Sequence, residues 1–497
     1  MNVPSLRSTI RLSSLCGLAA LAGCAVGPNY QRPSAPTPPA FKELSGWTQA
    51  APDDRANRGA WWEAFNDADL TGLEIQVDGA NQTLAEAAAN YQAARQLARS
   101  EVAGFFPTVS LDGSGTRSKA RSGSTGLTTT GAGGSTTFVP TSSGIVNEFS
   151  ASGAIGWSPD IFGKQRRQVE EDIDSAQSSA ALLASTRLSL HAELATDYIQ
   201  LRELDARKAL LDDSMDHYQR TLTITQNKYK VGVSARSDVI TAQTQLDSTH
   251  AAAIDTGIQR AQMEHAIAVL IGKAPAELTL APRKNLGIAV PVVPVALPSQ
   301  LLERRPDVAE AERAAAAANA RIGVQVAAYY PDFTLTAEGG FQGSSLTHLF
   351  TLPNRFWTLG ASAGETLIDF GARRALVKQA EAEYDSTAAA YRLAVLTAFQ
   401  QVEDGLSDVR TLEQEHTVQK NAVDEAAQAS RIAENEYRAG TVDFTTVVTA
   451  EAIELTNRET LLSLEQERLT DTVTLIQALG GGWTTSALPT SSDVRRR

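Results

Sequence analysis

Within its 497 residues the chain states one pattern twice, and this duplication constrains the fold more than any other feature. Tyr229-Lys230-Val231-Gly232 returns as Tyr437-Arg438-Ala439-Gly440, 208 positions later. At the same offset Phe162-Gly163 meets Phe370-Gly371, and Gly272 meets Gly480. Val239, Thr241 and Ala242 likewise meet Val447, Thr449 and Ala450. Upstream the offset is 224: Phe105-Phe106-Pro107 meets Tyr329-Tyr330-Pro331, and Ala85-Glu86 meets Ala309-Glu310. The difference of 16 gives the first copy a longer insert, about Gly113 to Gly144. That insert is mostly Ser, Thr and Gly and reads as an exposed flexible loop. Each copy runs helix, proline, two strand-like segments, a very long helix, a glycine turn and a returning helix.

The long helix of the first copy is expected over about 164–229. Its apolar positions include Val169, Ile173, Ala176, Ala180, Leu183, Leu190, Leu194 and Tyr198, then Leu211, Met215, Tyr218, Leu222 and Tyr229. Steps of three and four make a coiled-coil seam, interrupted at Arg187. The second copy keeps the stripe with Val377, Tyr384, Ala388, Tyr391, Val395, Ala398, Val402 and Leu406, its exception being Glu381. At 1.5 Å per residue, about 65 residues reach roughly 100 Å. No globular core covers that length, so such helices must lie side by side in a bundle, fibre or tube.

The runs between helices alternate with period two. Phe149, Ala151, Gly153, Ile155 and Trp157 share a face, as do Phe333, Leu335, Ala337, Gly339 and Phe341. Trp357, Leu359, Ala361 and Ala363 make a third, and Val109 and Leu111 begin a fourth. An apolar face opposite a small or polar one suits a transmembrane barrel strand; a soluble sheet is the other reading. Four strands cannot close a barrel around a channel, and lipid permits no open sheet edge. In a membrane the chain must therefore pool strands with copies of itself, and a trimer supplies twelve.

Residues 1–23 read as a secretory signal: Arg7 and Arg11 supply charge, and Leu12 to Leu21 is too short an apolar run to span a bilayer. Leu21-Ala22-Gly23-Cys24 resembles a bacterial lipobox, whose thiol takes diacylglycerol and becomes an acylated, palmitate-bearing N-terminus; Ala25 rather than Asp after it favours the outer membrane. Residues 25–55 are rich in Pro, Ala, Ser and Gln, as an extended leash requires, and a lipidated extended segment is expected over 24–60. Without the leader the net charge moves from −13 to −15, because Arg7 and Arg11 leave with it. A chain so acidic, with no basic patch, is not a nucleic-acid binder. Cys16 and Cys24 have no partners for a disulfide or zinc site. The six histidines, His191, His217, His250, His265, His348 and His416, form no metal motif and read as solvated helix positions. No phosphate-binding loop, Rossmann fingerprint or nucleophile elbow occurs, so neither an enzyme nor a cofactor is expected.

Gly23-Cys24-Ala25-Val26-Gly27-Pro28-Asn29-Tyr30, Trp61-Trp62, Leu301-Leu302-Glu303-Arg304-Arg305-Pro306-Asp307 and the turns Tyr229 to Asp238 and Tyr437 to Thr446 together resemble the TolC-like outer-membrane factors. Most similar are the lipidated NodT/OprM-type channels of RND multidrug efflux systems, and the likeness covers the mature chain. The resemblance implies a mostly α, α+β fold. Three chains share an outer-membrane β-barrel, four strands each, continuous with a long periplasmic α-helical barrel. Repeat 1 then spans 61–280, with strands about 108–116 and 148–158, turn 230–236 and return helix about 237–272. A linker over 281–300 leads to repeat 2 over 301–482, with strands about 332–341 and 356–365, long helix about 371–437, turn 438–443 and return helix about 444–480. Residues 483–497 form a tail.

The same resemblance implies partners: two more copies, outer-membrane lipid, a periplasmic adaptor (membrane fusion) protein and an inner-membrane RND-type pump. The adaptor would dock at Val231-Gly232-Val233-Ser234 and Ala439-Gly440-Thr441-Val442; a plain helical hairpin turn without a partner is the other reading. The periplasmic aperture would be lined by Asp238, Thr445, Thr446 and Thr449. Here the first copy offers a carboxylate and the second hydroxyls, a departure from the family's carboxylate rings. Asp238 is equally a helix-start carboxylate favoured by the macrodipole. The implied function is passive conduction of drugs or other toxic small molecules. Type I protein secretion, heavy-metal efflux and a periplasmic adaptor or structural lipoprotein are the alternatives.

Overall fold

Ala-, Glu- and Gln-rich stretches favour helix because their side chains lose little freedom there, and 67% of the residues that the structure describes are helical. The computed structural model describes residues 25–44, 59–119, 128–130, 136–138, 145–293 and 303–496. The expected leader, Cys24 and Leu301-Leu302 lie outside these.

Helices α1 (Ala68–Ala80) and α2 (Gln82–Ala103) precede strand β1 (Thr108–Lys119). Strands β2 (Thr128–Thr130), β3 (Thr136–Phe138) and β4 (Ile145–Trp157) follow, then α3 (Lys164–Lys230) and α4 (Arg236–Leu270). The second half runs α5 (Pro306–Ala327), β5 (Asp332–Gly343), β6 (Arg355–Gly364), α6 (Ala372–Ala439), α7 (Phe444–Ala478) and the short α8 (Ser491–Arg495). These elements fall into two compact units.

Of the described residues, the first unit holds 25–30, Leu97–Asp172 and Ala318–Tyr384. Its sheet runs β1-β4-β5-β6, antiparallel throughout. Register aligns the apolar alternation across it: Val109, Ile155, Ala337 and Leu359 form one transverse row. Leu111, Gly153, Gly339 and Trp357 form another. Val109, Leu111, Ile155, Trp357 and Leu359 are exposed, whereas Ser152 on the opposite face is buried. The greasy side faces outward, the reverse of a soluble sheet with one buried apolar face.

The insert expected as bare loop is partly strand. β1 continues to Lys119, β4 begins at Ile145, and β2 pairs with β3 between them. Threonine explains the difference: its β-branched side chain suits a pleated ladder as well as a polar loop.

Beside the sheet a strap of extended chain is held by buried Arg167, which donates to Val26 O, Gly27 O and Asn29 Oδ1 at 3.1, 3.3 and 2.8 Å. Asn319 Nδ2 donates to Pro28 O at 3.2 Å. Gly27 has φ +90°, and a Cβ there would lie 2.4 Å from Gly323 Cα, so the strap meets α5 backbone to backbone.

The second unit holds Gln31–Gln96, Ile173–Ala317 and Asp385–Arg497. Trp61, Phe65, Leu70 and Val77 pack on Leu190, Leu194, Tyr198 and Ile267 in one core. Tyr391, Val395, Val402 and Leu406 pack on Leu475 and Phe41 in a second. Most seam residues are buried, but Tyr229 at the helix end is exposed. Arg187, the seam interruption, is half-exposed and paired with Asp78 at 2.5 Å. The expected tail is folded: a 3-10 turn at Thr485–Ala487 leads to α8, whose Val494 is buried. Its Asp493 O accepts from Arg95 Nη2 at 3.1 Å, an anchor that a sequence so short and polar does not advertise.

Candidate functional site: the hairpin tips

Each long helix ends on a glycine because the chain must reverse within a few residues. Gly232 and Gly440 hold φ of 81° and 80°. Val233 N–H donates to Lys228 O at 2.9 Å and Thr441 N–H to Glu436 O at 3.0 Å, the six-to-one bond of a Schellman cap. An added Cβ at either glycine meets nothing within 4 Å, so conformation and not crowding selects the residue.

The returning helices begin with carboxylates that satisfy orphan backbone donors. Asp238 accepts from Ala235 N–H at 3.1 Å and from Ser234 Oγ at 2.7 Å, closing the turn on itself. Asp443 accepts from Thr446 N–H at 3.1 Å and Thr446 Oγ1 at 2.9 Å.

Below the turns the two hairpins share a small core. Leu222, Ala242, Ala433, Tyr437, Phe444 and Val447 are buried together. Lys228 Nζ sits 3.5 Å from the centre of the Tyr437 ring and donates to Tyr437 O at 2.5 Å, a cation–π contact between hairpins. Glu451, buried on α7, accepts from His217 at 3.0 Å and Thr221 at 3.3 Å on α3. The Glu451 bond is the main cause holding the His217 imidazole above its ordinary pKa; burial opposes it, and Glu434 and Glu454 add to the rise.

Of the expected docking residues, Val231 and Val233 are 74% and 72% exposed. Gly232, Ala439, Gly440 and Thr441 are also exposed, whereas Ser234 and Val442 are half-buried. Thr445, Thr446 and Thr449 line one groove of about 500 Å³ with Asp443, Ala426, Ala429, Ala450 and Ile453. Asp238 is not among these residues. Cys24 lies outside the described residues.

Sequence reasoning missed Asp443, Glu451 and a third group at the other end of the unit. Glu74 is fully buried and pairs with His191 Nδ1 at 2.6 Å; His191 Nε2 meets Asp78 at 3.2 Å. The His191 ring stacks on Trp62 at 4.4 Å. His191 is thus a core histidine, correcting its expected solvated position; apolar periodicity does not reveal a polar side chain that a distant carboxylate satisfies. Burial pushes the Glu74 carboxyl up to about 7, opposed by His191. Among the described residues no group of three or more metal-ligating side chains is suitably placed for a metal ion.

A family model described as outer membrane efflux protein matches residues 76–273 and 297–481, both hairpins included. The chain belongs to the outer membrane efflux protein family. The probable efflux pump outer membrane protein TtgC of Pseudomonas putida is 31% identical, over 93% of either chain. The cation efflux system protein CusC of Escherichia coli is 26% identical over 96% of this chain and 99% of its own. Among solved structures the outer-membrane channel OprN superposes with a TM-score of 0.82 at 28% identity, covering 93% of this chain and 100% of that one. VceC of Vibrio cholerae superposes at 0.76 with 25% identity, over 85% of this chain and 98% of its own. As an outer membrane efflux protein, the chain has a large periplasmic portion.

Proposed function

We propose that this protein is the channel through which a tripartite efflux pump discharges drugs and other toxic small molecules across the outer membrane. Three copies, each giving two sequence repeats and four strands, enclose a twelve-stranded barrel and a helical tunnel. Cys24, freed by cleavage of residues 1–23, carries the lipid. A periplasmic adaptor docks on Val231 to Ser234 and Ala439 to Val442, and an inner-membrane pump supplies the energy. Asp238, Thr445, Thr446 and Thr449 sit at the aperture, which opens as the hairpins slide on one another. Catalysis has no part in this.

The observation that carries the reading is the outward apolar rows of a sheet whose edges β1 and β6 are both unpaired among the described residues. In lipid such edges must find partners. The test is to delete the protein, survey sensitivity to toxic compounds, and record purified protein in planar bilayers. Drug sensitivity with discrete conductance steps is expected; normal resistance and a silent bilayer would reject the reading. The cation efflux relative supports a second cargo class, so the survey includes heavy-metal ions. Metal sensitivity without drug sensitivity would transfer the assignment.

A further inference from the structure

Charge is sorted between the two faces of the β1-β4-β5-β6 sheet. Its strand cations are Arg117, Lys119 and Arg355. Register puts all three on the apolar face: Arg117 faces Asn147, Lys119 faces Ile145 and Arg355 faces Phe341. Its strand carboxylates are Asp112, Glu148, Asp332 and Glu338, and register puts all four on the face of Ser152.

The cations are sorted along the strands as well. Arg117 and Lys119 fall in the last three residues of β1, and Arg355 is the first of β6. This is the hairpin end; helices join the sheet at the other end, next to Thr108, Trp157, Asp332 and Gly364. All three cations are exposed, and none has an ion-pair partner among the described residues. On a lipid-facing strand an unpaired cation is costly at the bilayer midplane and nearly free at the interface.

The loop between β5 and β6 adds apolar surface beside Arg355. It makes 3-10 turns at Leu346–His348 and Leu352–Asn354. His348 O accepts from Thr351 Oγ1 at 2.8 Å and from Asn354 Nδ2 at 2.7 Å, which folds the loop on itself. The Phe350 ring meets the Phe341 ring edge to face at 5.4 Å, so the loop leans onto the apolar face. Leu346, Phe350 and Leu352 are nonetheless 63%, 71% and 79% exposed. Phe341 thus has Phe350 on one side and Arg355 across the ladder, a greasy surface bordered by fixed positive charge.

We propose that this rim binds a phosphate-bearing lipid of the outer leaflet. Arg117, Lys119 and Arg355 hold its phosphates, and Phe350 and Leu352 lie among its acyl chains. Charge complementarity selects the occupant: guanidinium matches phosphate geometry, a second copy would set like charges together, and a soluble anion leaves the apolar loop in water. The inference rests on the membrane-channel reading above, in which the helices are the periplasmic portion and the hairpin end is outermost.

The full-length protein in neutral detergent is titrated with purified lipopolysaccharide, with the same material after enzymatic dephosphorylation, and with inorganic phosphate. At about 1 kcal/mol per cation, Arg117→Gln plus Lys119→Gln plus Arg355→Gln is expected to weaken lipopolysaccharide binding about 100-fold. Dephosphorylation should weaken wild-type binding to the same degree, and Arg117→Lys plus Arg355→Lys should retain most of it. Phe350→Ser plus Leu352→Ser should weaken binding of both lipid forms. Equal binding by the wild type and the triple glutamine variant overturns the proposal, as does displacement of the lipid by equimolar inorganic phosphate. Loss of contact between channel particles in the variant, with lipid binding unchanged, gives the face to a second copy and also overturns it. Conductance steps in planar bilayers keep the two readings apart: a variant that conducts normally while binding lipid as the wild type does sinks this inference alone, whereas a silent wild type sinks the channel.

Discussion

Gly232 and Gly27 both hold positive φ, yet they answer to different constraints. At Gly232 an added methyl meets empty space, so Gly232→Ala should cost only the conformational term, about 1–2 kcal/mol. At Gly27 the same methyl would run into Gly323 Cα at 2.4 Å, adding overpacking of about 1–3 kcal/mol. Thermal melts of the detergent-solubilised protein should therefore drop further for Gly27→Ala than for Gly232→Ala; an equal drop would show that the strap is not tightly seated. A second residue-scale consequence concerns Glu74. Its buried carboxyl is raised from 4.5 to about 7 in the fold, so folding binds a proton there. That contribution is complete below about 4.5 and is lost as pH rises through about 7. Burial raises Asp197 and Asp471 as well, and their contributions have the same sign. Stability should fall between about pH 5 and pH 8, and Glu74→Gln, which keeps a polar partner for His191, should reduce that slope. Melting temperatures across the range test it, and an unaltered slope would remove Glu74 from the account.

At the scale of elements, the two return helices start by different solutions to one problem. In α4 the carboxylate Asp238 reaches back to Ala235 N–H; in α7 the N-cap Asp443 reaches forward to Thr446 N–H. Each is expected to contribute about 1 kcal/mol, so Asp443→Ala should lower stability by that much while Asp443→Asn is nearly neutral. Denaturant midpoints decide the matter, and loss with Asn equal to loss with Ala would point to charge rather than capping. This pair also shows how far sequence could be read. The 208-residue offset sets Thr446 in the place of Asp238, but in the second hairpin the capping duty falls to Asp443, three residues earlier. An offset compares positions, and helix starts can be capped from more than one position. The long helices were legible because Leu190, Leu194 and Tyr198 recur at helical spacing and are buried. The β2–β3 pair and α8 were not, since three- and five-residue elements carry no period. Nor was the His217–Glu451 link, which joins residues 234 apart. There His217 gains a proton partner in the fold: its stabilisation is present below about 6.5 and lost as pH rises through its raised pKa. Histidine-resolved NMR should find His217 titrating above its ordinary value and falling on Glu451→Gln; no movement would place its partner elsewhere.

For the whole molecule the question is what keeps the N-terminal segment in place. The lipid proposed on Cys24 is one tether, adding about 0.8 kcal/mol per buried CH2. The other is internal to the first unit, where Arg167 holds three acceptors on Val26, Gly27 and Asn29. Arg167 itself is buried and further paired to Glu170 at 2.7 Å. Truncating it removes three hydrogen bonds to the half-buried and exposed strap, each worth about 0.5–1.5 kcal/mol. Removing the thiol leaves that network whole. Cys24→Ser should therefore lower the yield of trimer without abolishing it and leave single-channel conductance unchanged. Arg167→Ala, with its lipid intact, should lower the temperature of trimer dissociation more than Cys24→Ser does. Heating on semi-native gels compares the two variants directly. Trimers that vanish on Cys24→Ser alone would make the acyl chains, and not the strap, the element on which assembly depends.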